Sequence, residues 1–211
     1  MNPFAPGVMA RGLNTDTNRD PINIDVVTTD WQWLFIYPDQ HIAAANELVV
    51  PVHTPIRFRL TSATVPNDIF IPQLMGQIDV MPGMQTKQGL IANQVGVYQG
   101  LAADFSGPGF SWMQFKTKVV SQTAFNEWVT GARQSSQHMD KAGFDRFAAP
   151  TINDKGSVIL FSQAQNGLFD NVIEEVMAGK EFTTPPGMVE KKAAQLQGPR
   201  QQDGPSPASK F

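Results

Sequence analysis

The chain has 211 residues, 41% of them hydrophobic and 17% charged, with 17 Gly, 16 Pro and no Cys. That length suffices for one cored domain with an appendage, and the absence of cysteine excludes disulfides, thiolate zinc or iron–sulfur sites, a cysteine nucleophile and thiolate copper. A net charge of −3 and the lack of any Lys/Arg cluster argue against nucleic acid as a partner.

Residues 1–20 are polar, aperiodic and rich in Asn, Thr and Pro, the pattern of a linker or N-terminal remnant. They lack the basic region and apolar stretch of a secretory signal. From Pro21 the character changes. Ile22, Ile24 and Val26 alternate with Asn23, Asp25 and Val27, which predicts a strand with one buried face. Residues 30–38, DWQWLFIYP, are dense in aromatic and β-branched side chains and end in a proline turn. Trp31 and Trp33, two apart on this expected strand, face the same side, which fits either core packing or an interface. The longest apolar run, Trp33 to Tyr37, is five residues, against the roughly 20 needed for a membrane-spanning helix.

Ile56, Phe58 and Leu60 then alternate with Arg57, Arg59 and Thr61, a second half-buried strand. Strand-like runs continue at 68–72, 77–80, 86–91, 96–100 and 112–120, with turn residues between them at Pro66, Pro82, Gly83, Asn93 and the Gly-Pro-Gly of 107–109. About eight short strands at this spacing indicate a mainly β domain, a sandwich or barrel, over 21–120. Only 12 of those 100 residues are charged, five basic and seven acidic. Either neutral polar residues do the solvating or part of the surface is covered by a partner.

After Ser121, a suitable N-cap, the period switches to that of a helix over 122–133, carrying Phe125, Trp128 and Val129. A second short helix is predicted at 142–148. Leu168, Val172, Ile173, Val176 and Met177 form a third apolar stripe, stopped by Gly179. Residues 121–178 thus read as a helical C-terminal extension. The stretch 179–211 holds five of the sixteen prolines and almost no periodic apolar residue, the composition of a disordered tail.

Candidate chemistry is sparse. His41, His53 and His138 lie too far apart in sequence to form a local metal motif and read as turn or surface residues. Asp104 is the sole acid in the loop 101–109, with no second carboxylate to complete an acid/base pair. Met75, Met81, Met84 and Met113 carry soft thioethers, but in a β domain they read as core filling.

Three segments carry a resemblance: VVTTDWQWLFIYP at 26–38, FIPQLMGQIDVMPGMQTK at 70–87 and IANQVGVYQGLAADFSGPGFSWMQFK at 91–116. Together they resemble subunit II of the haem–copper terminal oxidases, most closely the bo-type ubiquinol oxidase branch, over about residues 21–178. The resemblance implies a cupredoxin-like Greek-key β-sandwich, with the C-terminal helical region typical of the quinol branch. In the cytochrome c branch this domain holds a dinuclear copper centre, bound by an early His and by the residues of a CxExCxxxHxxM loop. The matching positions here are Asn67 for the first His, then Ala102, Asp104, Ser106, Phe110 and Met113. Two alanine or serine replacements remove both bridging thiolates, so no copper, no other cofactor and no catalytic residue is expected in this chain.

The resemblance further implies a periplasmic, non-catalytic subunit of a proton-pumping complex that oxidises ubiquinol and reduces oxygen to water. Haem and the remaining copper would belong to the large partner subunit I. Trp31, Trp33, Phe105, Phe110 and Trp112 are the expected subunit contacts, since neutral aromatic surface suits a permanent interface. Family members also carry a signal sequence with a lipid-attachment cysteine and two transmembrane helices, through which they join the inner membrane. None of these precedes Pro21, so the sequence reads as a fragment. A free-standing cupredoxin-like binding or assembly module is the alternative.

Overall fold

The computed structural model describes residues 19–149 and 157–182. The expected linker and tail therefore lie almost entirely outside the described residues. The first strands follow from β-branched and aromatic runs: β1 (Ile22–Thr28), β2 (Trp33–Tyr37), β3 (Ile42–Ala45), β4 (Glu47–Pro51) and β5 (Pro55–Ser62). They are followed by β6 (Asn67–Ile71), β7 (Met75–Val80), β8 (Thr86–Ile91), β9 (Gly96–Leu101) and β10 (Gln114–Val120). The extension comprises α1 (Gln122–Ala132), β11 (His138–Met139), α2 (Lys141–Phe147), β12 (Ile159–Phe161), β13 (Gln163–Ala164) and α3 (Leu168–Met177). Ser121 caps α1 by accepting from the Ala124 amide, as its position predicts.

Two sheets face each other, one in the order β12-β3-β2-β1-β5-β8 and the other β4-β10-β9-β6-β7. The sandwich expected from the strand spacing is therefore present. Its crossovers are recorded in two parallel pairs, β1 with β5 and β4 with β10. Between the sheets lies an aromatic core in which Phe115 sits 5.0 Å from both Trp33 and Phe35. Buried Tyr37 donates its hydroxyl to the Val49 carbonyl and accepts from the Val49 amide, tying β2 to the opposite sheet. Phe125 and Val129 of α1 close one end of this core.

A second core forms on the outer face of the six-stranded sheet. Val27, Leu34, Ile36, Ala43 and Ala45 point outward and are covered by Phe144, Phe147, Phe161, Leu168, Phe169 and Val172. The extension is thus not purely helical: β12 adds to the edge of the main sheet beside β3. β1, expected to bury one face, buries both beyond Asn23, because the chain supplies its own cover.

Candidate functional site

The segment 102–113 is built on two neighbours, β6 and Trp31. After β9 ends, the backbone amides of Ala103 and Asp104 both donate to Oδ1 of Asp68, each at 2.7 Å. Asp68 is fully buried on β6 and pins the segment alongside that strand. At the far end, the Ala102 amide donates to the Met113 carbonyl at 3.2 Å and closes the loop, while residues 110–112 form one turn of 3-10 helix. The middle lies on the indole of Trp31, whose Nε1 donates to the Ser106 carbonyl at 3.3 Å.

Gly-Pro-Gly is required by this contact. A Cβ on Gly109 would enter the Trp31 ring well under 3.0 Å from its atoms, and Gly107 adopts φ +119 with its Cβ position 3.0 Å from the same ring. Trp31 itself has φ +74, outside any strand conformation.

The residues at the expected ligand positions have these surroundings. Asn67 donates its side-chain amide to Thr28 Oγ1 at 3.3 Å and to the Val65 carbonyl at 3.2 Å, which ties the end of β1 to the turn before β6. Ala102 and Met113 are buried, Phe110 packs its ring partly into the core, and Asp104 is exposed. One thioether, an amide, a hydroxyl and a phenyl ring do not fit a dinuclear copper centre, which needs two bridging thiolates and imidazoles. Among the described residues, no group of three or more His, Asp or Glu side chains is placed to hold a metal ion either.

The expected contact residues divide in their exposure. Trp33 is wholly buried against Phe35 and Phe115, and Trp31 lies beneath the Gly-Pro-Gly turn with 9% of its surface exposed. They were expected to share a face because period two assumes an unbroken strand, and the positive φ of Trp31 breaks it. Phe105 and Trp112 do stand out, 80% and 50% exposed, and Phe105 leans on Phe110 with ring centres 5.7 Å apart. Met81 and Met84, expected in the core, are on the surface at the tip of a turn. His41 and His53 occupy left-handed turn positions, and exposed His138 pairs with Ser162.

Sequence reasoning missed Asp68 and the Arg59 hub. Arg59 grips Asp25 with two bonds, Nε to Oδ1 at 2.7 Å and a terminal nitrogen to Oδ2 at 2.6 Å, reaches Asp170 at 3.1 Å and stacks over Phe169. Burial pushes the Asp25 carboxyl above its ordinary value despite this partner. A strand acid reads as solvent-facing unless its partner is known, and both partners of Asp25 and Asp68 lie 34 or more residues away.

Comparison with known proteins finds two matching families. One, described as cytochrome c oxidase subunit II, periplasmic domain, matches residues 22–120, and the other, the COX aromatic rich motif, matches 133–180. The cytochrome bo(3) ubiquinol oxidase subunit 2 of Pseudomonas putida is 45% identical over 160 residues, covering 76% of this chain and 50% of that protein. The ubiquinol oxidase subunit 2 of Acetobacter aceti is 40% identical over 179 residues, 85% of this chain and 55% of that protein. The chain spans about half the length of these curated relatives. Among solved structures, the periplasmic domain of subunit II of cytochrome oxidase (CoxB) of Bradyrhizobium japonicum superposes with a TM-score of 0.52 at 26% identity, over 54% of this chain and 94% of that one.

Proposed function

Because the chain belongs to the subunit II family of the haem–copper terminal oxidases, on the bo-type ubiquinol oxidase branch, we propose that it is the periplasmic part of a ubiquinol oxidase and carries no dinuclear copper centre. It serves there as a structural and assembly subunit. Electrons from ubiquinol reach the haems and copper of the large subunit I without passing through this domain, and oxygen is reduced to water with proton pumping. The domain sits on the periplasmic face of the inner membrane. Its sections are a cupredoxin-like domain over 21–120, an extension over 121–178, and flanking linker and tail segments.

One observation carries this reading. The segment that would hold a copper relay is here fixed by a buried carboxylate, Asp68, and by packing on Trp31. Side-chain and backbone contacts give it the fixed geometry that metal ligation would otherwise supply. What the segment offers outward is apolar aromatic surface, Phe105 and Trp112 with Phe110 behind them, the composition of an interface centre.

The test is to replace both exposed aromatics, Phe105→Asp with Trp112→Asp, in the full-length subunit and isolate the complex from membranes. Both side chains project outward, so the domain should fold and retain its circular dichroism. The expected result is loss of the large subunit from the purified complex. Unchanged retention would remove this segment from the interface.

A further inference from the structure

The methionines divide sharply in the fold. Met75, Met113 and Met139 are buried, whereas Met81, Met84 and Met177 expose 39%, 61% and 75% of their surface. These three are all the exposed methionines among the described residues, and they meet at one turn. Met81 and Met84 flank Pro82 and Gly83; the Met84 amide donates to the Met81 carbonyl at 3.4 Å, and Gly83 has φ +68. A turn of this kind holds its first and last Cα atoms within about 7 Å. The turn is tied down, because the Met81 carbonyl also accepts from the Ser62 amide at 3.4 Å and from Thr61 Oγ1 at 3.5 Å. Its tip rests on the C-terminal end of α3, where a Cβ on Gly83 would stand 3.3 Å from Met177 Cγ.

We propose that Met81, Met84 and Met177 form a surface site for a soft monovalent metal ion, Cu(I). Thioethers are soft, neutral donors that select Cu(I) over hard cations. Methionine side chains are also long and unbranched, so three of them rooted around one fixed turn can swing their sulfurs onto a single ion. A purely apolar contact would be served by any aliphatic residue; here every exposed methionine among the described residues is gathered at one place, two from the turn that leads from β7 in one sheet to β8 in the other and one from the extension. The site shares no residue with loop 102–113 and does not depend on the quinol oxidase reading.

The test is an anaerobic titration of the 211-residue chain with Ag(I), a redox-inert stand-in, and with Cu(I) against a chromophoric Cu(I) chelator, followed by the 13C signals of the methionine methyl groups. The expected result is uptake of a single ion, with the Met81, Met84 and Met177 methyl signals shifting together. The triple variant Met81→Leu, Met84→Leu, Met177→Leu should lose that uptake. Met177→Leu alone, which leaves the 81–84 turn intact, should weaken it by at least the roughly 10–100-fold that loss of a supporting outer-shell contact costs. No uptake, shifts confined to other methionines, or uptake undiminished in the triple variant would overturn the proposal.

Discussion

At Gly109 the loop backbone lies directly on the Trp31 indole, with no room for a single methyl group. Gly109→Ala should therefore cost about 1–3 kcal/mol, the usual penalty for overpacking, read as a lower urea midpoint. Gly76 and Gly131 have no atoms within 4 Å of their Cβ positions, so Ala at either makes no such clash. Asp30 supports a second prediction. Its carboxyl is buried, and desolvation raises its pKa above the ordinary value. The folded state then binds this proton more tightly than the unfolded state. Its contribution to stability is fully present below the unfolded pKa of about 4 and is lost as pH rises through the folded value. Asp30→Asn, which mimics the protonated form, should be more stable than the parent at pH 7, and the gap should vanish as pH falls below about 4. A variant less stable than the parent at pH 7 would mean that the hydrogen bond from Thr64 to the carboxylate outweighs its desolvation. At this scale the sequence marked the Gly-Pro-Gly of 107–109 as a turn, and the structure has one there. It could not show that Trp31 turns under the loop, since that depends on one backbone angle set by distant contacts.

Among the elements, α3 is held on the β1–β5 seam by Arg59, which links Asp25 of β1 to Asp170 of α3 while Leu168, Phe169 and Val172 fill the outer core. Removing one partner of a buried ion pair costs about 3–5 kcal/mol. Arg59 is partly exposed and solvent screens it, so Arg59→Ala should cost about 2 kcal/mol and loosen the extension first, seen as faster amide exchange in α3 than in β1. Asp170→Ala, at the exposed end of the network, should cost no more than about 1 kcal/mol. An equal loss from both would show that Asp25 does not depend on Arg59. The three helices were legible because each has an apolar stripe and a stop or cap. β3 and β4 were not, because Ile42–Ala45 and Glu47–Pro51 are buried on both faces and show no alternation. The two- and three-residue strands β11, β12 and β13 are too short to leave a periodic signal.

For the whole molecule, the low charge of residues 21–120 finds much of its explanation within the chain. The extension covers the outer face of the six-stranded sheet, so the expected covering partner is in part the protein's own C-terminal region. The end of the sandwich carrying loop 102–113 keeps the exposed aromatics Phe105 and Trp112, with Asp68 holding the backbone. A domain so built should position a partner and pass no electrons. The most direct measurement is the electron-donor preference and visible absorption of the complex purified with the full-length subunit after copper loading. The account predicts oxygen consumption with ubiquinol, none with reduced cytochrome c, and no thiolate–copper absorption. Turnover supported by cytochrome c, or a thiolate–copper band arising from this subunit, would contradict it.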